Sequence, residues 1–128
     1  MSTQAQIQFP SQTKDFDHEI VQVPKLTPGD GEIVIKNKAV AINPLDAKRL
    51  VYGIMVQSWP TSGGFEVAGV VDSVGENVSD LKVGDEVLAV VGPSELTTFG
   101  FQEYTRIKAG GAVLKPKNLS FEDAASLP

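Results

Sequence analysis

The chain has 128 residues, 41% of them hydrophobic, with 11 Lys and Arg against 16 Asp and Glu, so its formal net charge is −5. This size and composition predict one globular domain with its own core, and the acidic balance argues against nucleic acid or an anionic membrane as partner. No cysteine is present, which excludes disulfides and thiolate metal sites. Without a signal-peptide pattern or a run of ~18 apolar residues, the chain is expected to be cytoplasmic and not to span a membrane.

The first half of the chain predicts short strands followed by one helix. Alternating and apolar runs predict strands at residues 5–9, 19–23 and 32–42. A helix is predicted from Pro44 to Tyr52, because Asn43 can act as its N-cap and proline suits the first helical position. Gly53 can end this helix.

The second half predicts further strands separated by glycines. Two strands with a tight reversal are predicted between residues 64 and 90, and others at 101–107 and 112–114, with a loop at 92–100. Gly69 inside a strand indicates a bulge or a close backbone approach. Gly75 and Gly84 lie where the chain must turn, where a positive φ favours glycine. Ser120 is the predicted N-cap of a last helix, and the whole pattern indicates a mainly β, barrel-like domain with short helices.

Fixed glycines and acids recur between residues 64 and 87. Their spacing is Gly64-x-Glu66-x-Ala68-Gly69-x-Val71, then Val74-Gly75 and Val83-Gly84-Asp85-x-Val87. This pattern resembles the signature of the medium-chain dehydrogenase/reductase superfamily. The resemblance implies a partly open, GroES-like β-barrel with short helices. It also implies structural roles for the motif residues Glu66, Gly69, Gly75, Gly84 and Asp85.

The end of the chain is similar to that superfamily's interdomain linker. Residues 115–128 resemble the start of the segment that leads into a nucleotide-binding Rossmann domain. The chain contains no Gly-x-Gly-x-x-Gly motif of its own. The resemblance therefore implies that residues 1–128 form one GroES-like domain of a longer enzyme, with the Rossmann domain in cis, and that the chain alone is inactive.

Metal ligands are missing from the positions where the zinc-dependent branch of the superfamily carries them. That branch has Cys at the start of the short helix and His before the motif glutamate, where this chain has Asn43 and Phe65. His18 is the only histidine, and its acidic, polar surroundings predict a solvated side chain. The sequence therefore predicts a zinc-independent protein without a metal site.

The start of the predicted helix resembles the zinc-independent branch, which includes quinone oxidoreductases and enoyl reductases. The motif is Asn43-Pro44-x-Asp46-x-Lys48. The resemblance implies catalytic roles for Asn43 and Lys48, and a place for Asp46 in the substrate site. Many quinone oxidoreductases carry tyrosine at the position of Lys48, so this lysine is closer to the trans-acting enoyl reductases of fungal polyketide synthases. The candidate substrate-contacting residues are Asp46, Tyr52, Trp59 and Phe65.

The residues alone allow a simpler interpretation. Asn43 is then only a cap, Asp46 favours the helix dipole, and Lys48 and Arg49 are solvated. Glu66 is either an acid of the substrate pocket or the partner in a structural ion pair or backbone contact.

The predicted function is NADP(H)-dependent reduction of an α,β-unsaturated carbonyl or enoyl compound by the full-length enzyme. One alternative is a quinone oxidoreductase. The other is a non-catalytic binding module, which would associate into a homo-oligomer through exposed apolar patches and unpaired strand edges.

Overall fold

The computed structural model describes residues 2–91 and 96–127. Within these ranges the chain forms seven strands and two α-helices. The strands are β1 (Thr3–Gln8), β2 (Glu19–Pro24), β3 (Glu32–Val40), β4 (Glu66–Val74), β5 (Glu86–Val90), β6 (Tyr104–Lys108) and β7 (Ala112–Leu114). The helices are α1 (Pro44–Tyr52) and α2 (Phe121–Ala125). Residues 92–95 of the predicted loop and Pro128 of the predicted linker lie outside the described residues.

The strands form two antiparallel sheets. β1 pairs with β2, and the other five form a sheet in the order β6-β3-β4-β5-β7. Its two edge strands, β6 and β7, are joined by a single 3-10 turn, Ala109–Gly111. Because so short a connection keeps the two edges close together, the sheet curves round towards itself. The predicted mainly β, partly open barrel with short helices is confirmed.

The core lies inside this curved sheet. Its buried members come from β3, β4, β5 and β6 and from the segments on either side of β5: Ile33, Ile35, Val67, Val71, Leu81, Val87, Ala89, Val91 and Ile107. Burial of each Val or Ile side chain contributes about 1.5–3 kcal/mol relative to exposure. In β3, Ile33 and Ile35 belong to this core, and Val34 between them is also fully buried.

A bulge interrupts β3 opposite Gly69. The register with β4 shifts between Asn37 and Ala39, so Lys38 has no directly paired residue. A Cβ on Gly69 would lie 2.2 Å from the backbone oxygen of Lys36. The predicted close approach at Gly69 is confirmed, and the extra residue of the bulge belongs to β3.

The two turn glycines are required for different reasons. Gly84 has φ of 94°, as expected. Gly75 does not have a positive φ, so that expectation is wrong. A Cβ on Gly75 would lie 1.8 Å from the backbone oxygen of Gly29. Close packing between two chain segments therefore excludes a side chain at this position.

Several predicted strand boundaries also differ from the structure, and β1 begins at Thr3 instead of residue 5. β3 ends at Val40, two residues early, and β6 begins at Tyr104 instead of residue 101. The backbone N–H of Phe101 donates to the oxygen of Gly63, so this residue is bound to the segment before β4. Hydrogen bonds between distant segments therefore shorten strands that the apolar pattern extends.

Helix α2 packs on the outer face of the sheet. The Ser120 hydroxyl accepts a hydrogen bond from the backbone N–H of Asp123 at 3.0 Å, which confirms the predicted N-cap of α2. Ala124 and Ala125 pack on Ala68 of β4. These small side chains let the helix lie close to the strand. No helix within the described ranges is long and apolar enough to cross a membrane.

Candidate functional site

The N-terminus of α1 meets the start of β4. Asn43 is the N-cap residue, with extended backbone (φ −115°, ψ 158°), and it forms a capping box with Asp46. Oδ2 of Asp46 accepts the backbone N–H of Asn43 at 2.9 Å. The backbone N–H of Asp46 donates to the carbonyl oxygen of Asn43, also at 2.9 Å. The predicted cap and helix are both confirmed.

Asp46 ties the helix to the strand that follows it in the sheet. Its second oxygen, Oδ1, accepts the backbone N–H of Gly64 at 2.8 Å. The side chain is only 4% exposed. The Asp46 carboxylate therefore holds the start of α1 and the segment before β4 together. Its role is not limited to a favourable interaction with the helix dipole.

Asn43 and Glu66 are in direct contact. Nδ2 of Asn43 donates to Oε2 of Glu66 at 3.1 Å. The backbone holds this pair in place, since the N–H of Ala41 donates to the oxygen of Glu66 at 2.9 Å. Glu66 is half-buried, and no ion pair forms at Glu66 among the residues that the structure describes. The hydrogen-bond partner of Glu66 is a neutral side-chain amide, so an ion pair does not explain why an acidic residue lies at this position.

Arg49 is the feature of the site that the sequence interpretation missed. The residue is 1% exposed, and its guanidinium donates to the backbone oxygen of Ser62 at 2.7 Å and to Oγ1 of Thr61 at 3.0 Å. It lies 5.4 Å from the ring centre of Phe65 and 4.8 Å from that of Phe99. Burial lowers the pKa of Arg49, and the charge of Asp46 opposes this effect. The interpretation of Arg49 as solvated is wrong.

A signal for this burial is present in the sequence. Asp46, Arg49 and Leu50 are spaced i, i+3 and i+4, so they share one face of α1, and all three are buried. Lys48 and Tyr52 are also four residues apart and lie on another face. Lys48 is exposed, and Tyr52 is 70% exposed. Within the described ranges Lys48 forms no hydrogen bond or ion pair, so its ammonium is open to a ligand.

The remaining candidate residues are aromatic. Phe65 is 9% exposed and packs edge-to-face on Phe99, with ring centres 5.9 Å apart. Trp59 is half-buried in the segment before Thr61. The structure thus gathers Asn43, Asp46, Phe65 and Glu66, whereas Lys48 and Tyr52 lie on the open face of α1. Their roles in substrate binding stay predictions.

The described residues contain no cluster of three His, Cys, Asp or Glu side chains arranged to hold a metal ion. The side chain that contacts Glu66 is the amide of Asn43. His18 is exposed, with Nδ1 3.0 Å from the backbone oxygen of Phe16.

An apolar groove of about 930 Å³ lies between the β1–β2 sheet and α1. Its apolar lining includes Ile7, Phe9, Phe16, Ile20, Ile42, Leu50 and Phe101. Of the predicted site residues, Asp46 lines it, and Asn43, Lys48, Tyr52, Trp59 and Phe65 do not. The groove is therefore separate from the face that carries Lys48.

Comparison with known protein families gives one match that covers most of the chain. Residues 29–117 match the family described as the alcohol dehydrogenase GroES-like domain. The chain belongs to the alcohol dehydrogenase GroES-like family. The resemblance to medium-chain dehydrogenases/reductases that the 64–87 motif indicates is thereby confirmed.

Relatives of this GroES-like domain include named oxidoreductases. Dehydrogenase orsE of Emericella nidulans is 40% identical over 117 residues, which cover 88% of this chain and 33% of that protein. The chloroplastic NADPH-dependent alkenal/one oxidoreductase of Arabidopsis thaliana is 44% identical over 105 residues, which cover 77% of this chain and 27% of that protein. The domain thus spans about a third of the length of these relatives.

Solved structures show the same fold. The quinone oxidoreductase of Escherichia coli in complex with NADPH is 30% identical, with a TM-score of 0.82. The superposition covers 95% of this chain and 36% of that one.

Proposed function

We propose that this chain is the substrate-side domain of an NADP(H)-dependent, zinc-independent oxidoreductase that reduces an α,β-unsaturated carbonyl or enoyl compound. The observation that carries the proposal is the neutral Asn43 amide, held on Glu66 at the helix start where the zinc-dependent branch has a metal ligand. The similarity to an NADPH-dependent alkenal/one oxidoreductase supports the same substrate class.

The residues of this chain would act on the carbonyl oxygen. When the double bond of a conjugated carbonyl is reduced at its β-carbon, an electron pair moves onto this oxygen, and a proton then adds at the α-carbon. The Asn43 N–H and the Lys48 ammonium would stabilise the negative charge on the oxygen, because hydrogen-bond donors can take over that task from a metal.

NADP(H), when bound, supplies the hydride. The residues present fit part of this cofactor, since the exposed Lys48 ammonium has no partner in the described part of the chain and suits a phosphate or a carboxamide oxygen. The chain has no Gly-x-Gly-x-x-Gly motif, so we assign the pyrophosphate to a Rossmann domain in cis.

Reduction of quinones is the second candidate function. The structural similarity to the quinone oxidoreductase of Escherichia coli favours it. The lysine at position 48 favours the enoyl class over it.

Kinetics of the polypeptide that carries this domain together with its nucleotide-binding domain test the proposal. NADPH oxidation is followed with an enone, an enoyl thioester and a quinone as substrates. We expect the conjugated carbonyl compounds to give the higher kcat/KM, and the 128-residue chain alone to show no turnover. A higher value with the quinone would favour the second candidate.

Substitution of Lys48 is the first prediction. Lys48→Ala is expected to lower kcat/KM for the enone by about 10²-fold, the lower end of the effect of removing one donor that stabilises a developing oxyanion. Lys117→Ala is the control, because Lys117 is an exposed lysine far along the chain from the site. Equal activity of the Lys48 variant and the native enzyme would contradict the role given to this residue.

A further inference from the structure

The contacts of Asn43 determine which way its side-chain amide faces. A carboxylate only accepts hydrogen bonds, so the amide nitrogen must be the atom that faces Glu66 Oε2 at 3.1 Å. On its other side the Asn43 side chain makes no cap hydrogen bond, because the backbone N–H of Asp46 donates to the Asn43 carbonyl oxygen at 2.9 Å. Glu66 is therefore the group that orients the amide.

This orientation leaves one hydrogen of Nδ2 for a ligand. Nδ2 carries two hydrogens, and Glu66 accepts one of them. No acceptor for the other lies among the described residues, and Asn43 is only half-buried. The open side of Asn43 therefore presents a hydrogen-bond donor. A ligand oxygen matches it, whereas a ligand N–H or O–H does not.

The Glu66 carboxylate, which orients the Asn43 amide, also affects which kind of ligand oxygen can bind to that amide. Glu66 has no ion-pair partner in the described ranges. Its Oε1 does not belong to the buried side-chain atoms that lack a hydrogen-bond partner there. Its negative charge is one hydrogen bond away from the ligand position, so it repels a second carboxylate. A neutral carbonyl oxygen does not meet this repulsion.

We propose that Glu66 is a positioning residue, which fixes the Asn43 amide as a donor to an uncharged carbonyl oxygen and excludes carboxylates. This proposal rests on the proposed function and narrows its substrate class to conjugated ketones, aldehydes, esters and thioesters, as opposed to free 2-enoic acids.

The first test is the mobility of the Asn43 side chain, measured by ¹⁵N relaxation on the 128-residue chain. In the native chain we expect an order parameter for its NH₂ group near that of rigid backbone, about 0.85. Glu66→Ala should lower it below about 0.6, and Glu66→Gln should keep it, because a glutamine oxygen still accepts from Nδ2. Glu76→Ala is the control, since Glu76 is an exposed side chain outside the site.

Backbone amide shifts of α1 separate this effect from loss of the helix, and they should stay unchanged in Glu66→Gln. A mobile Asn43 amide in the native chain, or a rigid one in Glu66→Ala, would overturn the positioning role. This measurement needs neither cofactor nor turnover, so it stands even where the full-length protein reduces no enone.

The second test compares two ligands that differ in charge, trans-2-hexenoate and its methyl ester. Titrations follow the Asn43 Nδ2 signal, and the native chain should bind the ester at least about tenfold more tightly than the acid, as a difference of about 1.4 kcal/mol implies. Glu66→Gln should reduce this ratio to about threefold or less, and Glu76→Gln should leave it unchanged. Equal binding of both ligands, no shift with the ester, or an unchanged ratio in Glu66→Gln would each overturn the exclusion of carboxylates.

Discussion

At the scale of single residues, Arg49 shows how a buried cation can be held by neutral groups. Its partners are a backbone carbonyl, a hydroxyl and two aromatic rings. These contacts join α1 to the segment before β4, at the same place where Asp46 binds Gly64. Arg49 therefore supports the geometry of the Asn43–Glu66 pair without contacting either side chain in the described structure.

Truncation of Arg49 tests this support. Arg49→Ala is expected to lower the free energy of unfolding by about 2–4 kcal/mol, because it leaves a buried carbonyl without its donor and opens a cavity between two rings. Urea unfolding measures the change. Lys117→Ala should stay within about 0.5 kcal/mol of the native value, and an equally small effect at Arg49 would show that its burial contributes little.

Asp85 gives a prediction about pH. Its Oδ2 accepts the backbone N–H of Lys82 at 2.9 Å, and Oδ1 lies 3.4 Å from the Lys82 ammonium. The backbone hydrogen bond first, and then the lysine, lower the pKa of Asp85 below its ordinary value of 3.8. The stabilisation by this group is then complete above that ordinary value and is lost as the pH falls through the lowered folded-state pKa.

Urea midpoints measured between pH 6 and pH 2 check this sign. Asp85→Asn should flatten the loss of stability at the acidic end of the series, because asparagine does not titrate there. Asp80→Asn, at an exposed position, should leave the curve unchanged. A steeper acidic loss in Asp85→Asn would contradict the assignment.

At the scale of elements, the sheet depends on one very close contact between strands. Gly69 of β4 lies against the backbone of β3 where the bulge at Lys38 shifts the register. A methyl group at this position would meet backbone, which cannot move aside as a flexible side chain can. The bulge in β3 and the glycine in β4 therefore both stabilise the close approach of these two paired strands.

Two glycine-to-alanine substitutions separate crowding from the general effect of removing glycine. Gly69→Ala is expected to lower the free energy of unfolding by about 1–3 kcal/mol or more, as overpacking of a core does. Gly110→Ala is the matched control, because a Cβ there meets nothing within 4 Å and its φ is not positive. This control should change stability by less than about 1 kcal/mol, in either direction. Similar midpoints for the two variants would exclude a steric role for Gly69.

At the scale of the whole molecule, the groove between the β1–β2 sheet and α1 leaves apolar side chains open to solvent. Ile20 of β2 is 69% exposed and lines this groove. Contiguous apolar surface of this kind is uncommon on a soluble domain. It should therefore bind an apolar dye in solution.

Binding of the dye ANS checks this expectation. Ile20→Asp should weaken ANS binding at least about twofold. The substitution removes apolar surface from the groove and adds a negative charge there, which repels the anionic dye. Val83→Asp is the control, since Val83 is 60% exposed and does not line the groove. Equal weakening by both substitutions would mean that net charge, not the groove, governs the binding.

Local sequence patterns were enough to predict the helices and strands and several individual positions within them. α1 has the predicted bounds, Pro44 to Tyr52, because capping and proline preferences act within a few residues of each other. The strand positions, the crowding at Gly69 and the positive φ at Gly84 were also predicted, since apolar alternation and turn chemistry are local. The 64–87 motif indicated the family to which the chain belongs.

Contacts between residues far apart in the chain could be read only from the folded structure. The partner of Glu66 is 23 residues away, and the carbonyl that accepts from Arg49 belongs to a segment 13 residues away. Position 75 must be glycine because a Cβ there would clash with the backbone oxygen of Gly29, and not because its φ is positive. Neither periodicity nor propensity encodes such contacts, because they depend on how the curved sheet places separate segments side by side.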